Sequence, residues 1–251
     1  MKQQRKGRRP SRRGRRPSRR GPVTKHNVQA DPIGIYQKLF EHFGQQHWWP
    51  AKAKDPEARS FEISVGAILT QNTAWTNVEQ ALEKLRKAGK LSPKGIRELP
   101  QNRLAQLIRP SGYFNQKAKK LKVFVAFLDR EFGGRMGQMR QVPLRPLRRQ
   151  LLALFGIGPE TADSILLYAL GKPIFVVDAY TRRVLARHSF IDCEASYDQI
   201  QSLFMGRLPR RPKLFNEYHA LFVSVGKELC KTHPRCELCP LRTVGKLRLT
   251  R

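Results

Sequence analysis

The chain has few carboxylates and no long apolar run, and both absences limit what the protein can be. Its 251 residues include 19 Asp and Glu against 49 Lys and Arg, which gives a formal net charge of +30. Such a charge repels itself in a compact fold, so it favours a polyanionic partner, with nucleic acid ahead of an anionic membrane. No apolar stretch reaches the roughly 18 residues that a membrane-spanning helix needs, and the N-terminus lacks the apolar core of a secretory signal. We therefore expect no membrane partner, and a cytoplasmic, nucleoid-associated location in a bacterium or a nuclear one in a eukaryote.

Cysteine is also scarce, with four residues in the whole chain. Three of them, Cys230, Cys236 and Cys239, lie close together near the C-terminus. In a chain that is not secreted, such a cluster predicts metal or thiol chemistry rather than a disulfide framework. Cys193 stands alone, and we expect it to be a free, buried thiol.

Residues 1–30 are predicted to form a disordered basic tail. The tail has no acid before Asp31, and it repeats the seven residues Gly7–Arg13 without change as Gly14–Arg20. It has almost nothing apolar to bury, so a packed structure is not expected. The tail is either an inert solvated extension, a nonspecific phosphate-binding arm or a nuclear-localisation signal, and its charge density favours the phosphate-binding arm.

The rest of the chain predicts an all-α fold, because apolar residues recur at helical spacing along most of it. Ser92 followed by Pro93 is typical of a helix start. Only Ile174–Val177 resembles a strand, and it is too short to found a sheet. The predicted helices are Pro32–Phe43, Phe61–Leu69, Ala74–Ala88, Lys117–Phe132, Leu144–Phe155, Glu160–Leu170, Ala179–Arg187, Tyr197–Leu203 and Leu214–Leu229.

The segment Leu151–Arg183 is the most informative part of the sequence. It predicts a helix, a tight turn at Gly156, Ile157 and Gly158, a second helix, and then Asp178 at the start of a third. Such a turn directs free backbone N–H groups outward at a helix N-terminus, where a phosphate binds well. A phosphate anchor followed by a single carboxylate indicates an enzyme that holds DNA and acts on a sugar or a base.

This pattern resembles the helix-hairpin-helix DNA glycosylases of the endonuclease III superfamily, over roughly residues 31–240. Five motifs carry the resemblance in the right order: Ser64–Thr73, Ser111–Ala118, the hairpin Leu154–Ala162, Val177–Asp178 and the three clustered cysteines. The resemblance implies two helical subdomains with the active cleft between them. One is a helical barrel with the hairpin, over residues 60–170. The other combines residues 31–59 with 171–251 and carries the cysteine-rich loop. We expect a monomer that binds double-stranded DNA with damaged bases.

Asp178 is the predicted catalytic residue. A carboxylate beside the sugar stabilises the positive charge that develops as an N-glycosidic bond breaks, or activates a water. The alternative is that Asp178 only caps the helix that starts at Ala179, and both roles are compatible.

Glu160 marks a departure from the bifunctional members of the family. These have a lysine two residues after the second glycine of the hairpin, which attacks the sugar and cuts the strand through a Schiff base. A carboxylate cannot form an imine, so Glu160 predicts base release by water with weak or absent lyase activity. Otherwise Glu160 is a surface acid in the first turn of a helix.

The resemblance also assigns residues to base extrusion. Gln71 matches the residue that fills the gap left by the flipped nucleotide, and this role is favoured over the alternative of a polar residue that caps the helix pair. Trp48, Trp49 and Trp75 are either core residues or the aromatic pocket for a flipped purine, and they resemble the pocket of the 3-methyladenine glycosylase branch.

The cysteine cluster matches three of the four ligands of the family's [4Fe–4S] cluster. The fourth is expected six positions after Cys239, where Gly245 stands. Three alternatives follow: an iron–sulfur cluster with an incomplete or non-cysteine ligand set, a residual zinc site, or a loop that binds nothing. The surviving cysteines favour the cluster.

The sequence therefore predicts a monofunctional DNA N-glycosylase for damaged bases, with alkylated purines favoured. One alternative is a bifunctional glycosylase/lyase for oxidised pyrimidines, which Glu160 disfavours. The other is a noncatalytic DNA-binding protein, which Asp178 disfavours.

Overall fold

A computed structural model describes residues 31–247, and the predicted basic tail lies outside this range. The described residues form twelve α-helices and no strand, so the predicted all-α fold is confirmed. In chain order the helices are α1 Pro32–Phe43, α2 Pro56–Leu69, α3 Trp75–Lys87, α4 Pro93–Glu98, α5 Gln101–Leu107, α6 Phe114–Phe132, α7 Met136–Gln141, α8 Leu144–Leu152, α9 Pro159–Ser164, α10 Ala179–Arg187, α11 Tyr197–Met205 and α12 Pro212–Glu228. Between residues 31 and 247 no helix is both long enough and apolar enough to cross a bilayer.

Local sequence signals set several helix starts. The side chain of Ser92 accepts a hydrogen bond of 3.0 Å from the backbone N of Gly95, and Pro93 begins α4 as predicted. Helix α2 begins at Pro56, earlier than the predicted Phe61, because Asp55 caps it by accepting a bond of 2.8 Å from Ala58 N. The apolar pattern marks only the buried part of this helix, whereas the cap marks its true start.

The helices pack in two groups. Helix α2 lies at the centre of the first, with ten consecutive buried residues from Ser60 to Leu69, and contacts α3, α6, α7 and α9. In the second group α12 packs against α1 and α10. Tyr218 of α12 donates a hydrogen bond of 2.8 Å to the carbonyl of Pro32 and so fixes the N-terminal helix to the C-terminal third. Our boundaries for the two subdomains, at residues 60 and 170, remain a prediction.

The structure differs from the sequence-based expectation at two helix ends and in two short helices, and it agrees with it at Ile174–Val177. Helix α8 ends at Leu152 rather than Phe155, and the second hairpin helix passes from α9 into a π-helical turn at Ile165–Ala169. Ile174–Val177 is buried and pairs with no strand in the described chain. Two short helices, α5 and α7, were not predicted. Helices of six or seven residues show too few turns for their apolar period to be recognised.

Candidate active site

The three tryptophans form one cluster between the two helix groups. Trp48 and Trp49 lie in the irregular segment 44–55, and Trp75 is the first residue of α3. The ring centroids of Trp49 are 5.3 Å from Trp48 and 5.2 Å from Trp75. Trp49 is buried, while Trp48 and Trp75 are half-buried, so the cluster has an accessible side. The indole Nε1 of Trp48 is buried and has no hydrogen-bond partner.

On the side of α2, the segment 44–55 is held by two charged side chains. Arg59 donates to the carbonyls of Ala51 at 2.8 Å and Trp49 at 3.2 Å. Glu62, which is 2% exposed, accepts from the backbone N of Lys52 and of Ala53, each at 3.0 Å. These bonds satisfy an irregular backbone and fix the tryptophans against the barrel helices.

On the side of α12, the same segment is held by Gln46. Its backbone N donates to Glu217 Oε1 at 2.6 Å, and its side-chain oxygen accepts from Ser224 Oγ at 2.5 Å. Segment 44–55 therefore bridges the two helix groups across the cleft.

Asp178 lies at the end of the buried segment Ile174–Val177, directly before α10. Its Oδ1 accepts a hydrogen bond of 2.7 Å from the backbone N of Thr181, so the capping role is real. Its Oδ2 faces the Nε2 of His219 on α12 at 3.6 Å. One carboxylate oxygen thus caps the helix start, and the other faces the buried imidazole of His219.

His219 and Tyr168 connect Asp178 to the tryptophan cluster. The Nδ1 of His219 is hydrogen-bonded to the hydroxyl of Tyr168, which lies in the π-helical turn. The ring of Tyr168 is 5.0 Å from the ring of Trp49. Burial raises the pKa of Tyr168 well above its usual value, and the charges of Asp178 and Glu160 add to this effect. Sequence analysis missed both residues, since neither belongs to a recognisable motif.

Glu160 lies in the first turn of α9, close enough to Asp178 for the two carboxyl groups to interact. The side chain retains contact with solvent. Even so, the protein atoms around its carboxyl, together with the charge of Asp178, raise the pKa of Glu160 to about 7. The negative charge of Asp178 therefore favours a proton on Glu160.

The hairpin turn has the predicted form. Gly156 has a φ of +76°, which favours glycine, and Ile157 is buried beneath the turn. A Cβ at Gly156 would lie 2.4 Å from Cε of Lys120, so glycine also makes room for this lysine.

Gln71, the predicted intercalating residue, contacts the hairpin in this structure. Its Nε2 donates to the carbonyl of Gly156 at 3.0 Å and to the hydroxyl of Thr161 at 2.9 Å. Its Oε1 accepts from Lys120 Nζ at 2.5 Å. The loop after α2 and the hairpin thus form one continuous surface, and entry of Gln71 into DNA would require these bonds to break.

Lys117 joins that loop to a second one. It is 1% exposed, and its Nζ donates to the carbonyls of Leu69 at 2.8 Å and Ser111 at 2.6 Å. Burial is the main cause that lowers the pKa of Lys117 to about 8, and Lys120 contributes. The turn at Ser111 presents Tyr113, which is 71% exposed. Sequence analysis recognised this turn but missed its exposed aromatic residue.

The buried carboxylate of Asp163 belongs to a hydrogen-bond network that holds the chain segment before Asp178 in place. It is fully buried and accepts from Arg148 at 2.7 and 3.1 Å, from Tyr197 at 2.8 Å and from Gln201 at 2.8 Å. Gln201 also donates to the carbonyl of Phe175 at 2.6 Å. This network fixes the segment that leads to Asp178 against α8, α9 and α11.

The cysteine loop packs against α10. Arg183 donates to the carbonyl of Cys230 at 2.7 Å, and Arg187 approaches the Cys230 Sγ at 3.3 Å. Cys230 and Cys239 are buried, and Cys236 is half-buried. Burial raises the pKa of both Cys236 and Cys239, which disfavours their thiolates in the absence of a metal. Cys193 is exposed in the turn between α10 and α11, so our expectation of a buried thiol was wrong.

The loop provides donors for a metal group but not a complete site. Cys230, Cys236, Cys239 and His188 line one small cavity. Gly245 has a φ of +77°, and a Cβ there would lie 2.3 Å from the carbonyl of His188, so this position has no room for a ligand side chain. Across residues 31–247, no three His, Cys, Asp or Glu side chains are arranged to hold a metal ion. The three thiols are therefore of the right chemical type to bind an iron–sulfur cluster. Their arrangement in the described residues does not form a complete binding site.

Comparison with known proteins gives one consistent result. The family pattern of the HhH-GPD superfamily of base excision DNA repair proteins matches residues 65–210. A Methanocaldococcus jannaschii protein whose name describes it as a DNA repair glycosylase is 42% identical to this chain over 210 residues. The match covers 83% of this chain and 92% of the relative.

Two solved structures share the fold. The 3-methyladenine DNA glycosylase of Helicobacter pylori, bound to 1,N6-ethenoadenine, is 28% identical with a TM-score of 0.67, covering 79% of this chain and 98% of its own. An endonuclease III trapped as a covalent DNA intermediate has a TM-score of 0.71 at 24% identity, covering 86% and 96% of the two chains.

Proposed function

Because the chain belongs to the HhH-GPD superfamily of base excision DNA repair proteins and is a DNA glycosylase, we propose that it releases a damaged base by hydrolysis and without strand cleavage. The observation that carries this proposal is the carboxyl of Glu160 beside Asp178, at the position where a lyase needs an amine. This position therefore has no amine that could attack the sugar and form a Schiff base.

In the proposed reaction, Asp178 acts on the sugar of an extruded nucleotide. Its carboxylate is fixed by the N-terminus of α10 through the bond from Thr181 N. A fixed negative charge near the sugar stabilises the oxocarbenium-like charge that develops as the base leaves, and it can orient the attacking water. Glu160, with a pKa of about 7, is partly protonated at neutral pH and can donate a hydrogen bond to the base or to that water.

The substrate that we propose is an alkylated purine. The accessible faces of Trp48 and Trp75 provide stacking surfaces, and a cationic base is attracted to the faces of indole rings. The Trp48 Nε1 adds one unused donor for a ring nitrogen or oxygen. The similarity to a 3-methyladenine glycosylase, whose structure holds a modified adenine, agrees with this choice.

DNA is held, in this proposal, by the hairpin backbone at Gly156–Gly158 and by two loops, the one with Gln71 and the one with Tyr113. Gln71 fills the gap left by the extruded base. Tyr113, exposed on the neighbouring loop that Lys117 fixes, stacks against the opposite side of the gap.

For the cysteine loop we propose a structural iron–sulfur cluster held by Cys230, Cys236 and Cys239. Such a cluster would hold the three cysteines as thiolate ligands, including Cys236 and Cys239, whose free thiolates are disfavoured by burial, and would add stability to the fold. The basic residues around the loop, Lys227, Lys231 and Arg235, suit contact with DNA phosphates.

A single experiment tests the activity. Duplex oligonucleotides containing 3-methyladenine, 1,N6-ethenoadenine, thymine glycol or uracil are incubated with excess protein, and free base and strand cleavage are measured separately. We expect base release from the alkylated purines and cleavage only after alkaline treatment. Cleavage without alkali, or preference for thymine glycol, would favour the bifunctional alternative. Binding without release from any lesion would favour the noncatalytic one.

A further inference from the structure

His219 has an unusual environment for a buried polar side chain. It is 5% exposed, and its Nε2 is a buried side-chain nitrogen without a hydrogen-bond partner. A buried polar atom left unpaired is costly, so its persistence calls for an explanation. The Nε2 lies 3.6 Å from Oδ2 of Asp178, just beyond hydrogen-bond length.

The partner on the other side of the ring fixes the tautomer. Burial lowers the pKa of His219 and raises that of Tyr168, so at neutral pH the imidazole is uncharged and the phenol keeps its proton. Because Nε2 of the same ring faces the carboxylate of Asp178, which only accepts, the ring presents an unprotonated Nδ1 to Tyr168, and the phenolic O–H donates to it. In a neutral imidazole the remaining proton must then be on Nε2, which faces Asp178.

We propose that His219 is a positioning residue for Asp178, and that Tyr168 sets the tautomer in which His219 performs this task. The Nε2–H holds Oδ2 of Asp178 while the backbone N of Thr181 holds Oδ1, so the carboxylate has one orientation toward the cleft. A shift of a few tenths of an ångström shortens the 3.6 Å separation to a full hydrogen bond. This inference rests on the proposed role of Asp178 in base release.

Tyr168 connects the Asp178–His219 pair to the tryptophan cluster. Its ring contacts Trp49 while its hydroxyl reaches His219, so one side chain is shared by the aromatic cluster and the Asp178 environment. The charged and titratable groups that face this pair are Asp178 and Glu160.

The test begins with the full-length protein free of DNA, labelled with ¹⁵N-histidine. Nitrogen chemical shifts distinguish the two neutral tautomers, and loss of one signal in His219→Gln assigns the residue. We expect the Nε2–H tautomer in the wild type, a mixture of tautomers in Tyr168→Phe, and a shifted Nε2 signal in Asp178→Asn. The matched control Tyr36→Phe removes the hydroxyl of a tyrosine on α1 that packs against Tyr218, outside the contacts among Tyr168, His219 and Asp178, and should leave the signal unchanged.

Kinetics provide the second measurement. In single-turnover assays on a duplex containing 1,N6-ethenoadenine, His219→Leu should slow base release on the order of 100-fold, as expected when a catalytic group loses its orientation. The Kd for DNA should stay unchanged. His219→Gln, which retains an amide donor, should recover most of the rate, and this recovery distinguishes positioning from packing.

Two results would overturn the inference: an Nδ1–H tautomer in the folded wild type, or wild-type base release by His219→Leu. A wild-type protein that releases no base, but whose His219 signal still responds to Asp178→Asn, would count against the proposed function and support the contact.

Discussion

Glu160 lies beside Asp178, and burial together with the charge of Asp178 raises the pKa of Glu160 to about 7. A carboxyl group with a raised pKa beside a second carboxyl is typical of enzymes that use one group to carry a proton and the other to stabilise charge. The roles of the Asp178 and Glu160 carboxyl groups can be tested separately.

Asp178→Asn should abolish base release, lowering the single-turnover rate by at least about 100-fold, because the negative charge near the developing cation is lost. DNA affinity should persist or rise, since the change removes an anion close to the phosphates. Rate and affinity are measured on the same lesion duplex. Full activity of the variant would show that Asp178 serves only as the cap of α10.

Borohydride trapping on lesion-containing DNA should give little covalent adduct, because position 160 has no amine. Gel analysis of the trapped complex measures this, with a lyase-competent glycosylase as the positive control. Efficient trapping would mean that another amine, such as that of Lys120 near the hairpin, attacks the sugar.

Glu160 should also affect stability as a function of pH. Its folded-state pKa of about 7 lies above the ordinary glutamate value of 4.5, so the folded protein binds more protons than the unfolded chain between these pH values. The contribution to stability is therefore complete below pH 4.5 and is lost as the pH rises to about 7. Urea unfolding across this range should show the decline in the wild type and a weaker one in Glu160→Gln. An identical decline in both proteins would assign it to other groups.

Lys117→Met should lower the free energy of unfolding by about 1–3 kcal/mol, because the carbonyls of Leu69 and Ser111 lose their shared donor. Thermal unfolding measures the change. The matched control is Lys119→Met, which alters an exposed lysine on the same helix and should have little effect. Equal changes in the two variants would show that the buried ammonium is not the source of stability.

Protein purified without oxygen should be brown, with iron and sulfide in equal amounts, and should lose its colour in air because one iron lacks a cysteine. Cys236→Ser should then lower the unfolding midpoint strongly, whereas Cys193→Ser, at an exposed cysteine, should not. Colourless, iron-free protein with wild-type activity, together with an unchanged unfolding midpoint in Cys236→Ser, would show that the loop functions without a cluster.

Removing residues 2–22 should weaken binding to all DNA sequences alike and flatten its dependence on salt. The eleven Lys and Arg in this stretch act through counterion release, which carries no sequence information. Binding isotherms at several salt concentrations measure the slope, and single-turnover base release should change little. A change in lesion preference would contradict a nonspecific role.

The sequence predicted features that depend on local chemistry. The glycine turn, the start of α4 after Ser92, and Asp178 before α10 each follow from neighbouring residues, and the structure contains all three. The exposure of Cys193 and the early start of α2 were predicted wrongly, because the apolar pattern does not report turns or caps.

Features that depend on residues far apart in sequence could not be predicted. His219 is 41 positions from Asp178 and 51 from Tyr168, and only the packing of α12 against α10 and the π-helical turn brings the three together. The buried Asp163 network and Lys117 are of the same kind, since each satisfies backbone or side-chain groups from several helices.

The segment 44–55 has a mechanical consequence. It is bonded to Glu62 and Arg59 on one wall of the cleft and, through Gln46, to Glu217 and Ser224 on the other. The two helix groups cannot move apart without breaking hydrogen bonds on one side of the tryptophans. We therefore expect the aromatic cluster to keep its dimensions when DNA binds, so that a base is selected by its fit to a rigid site.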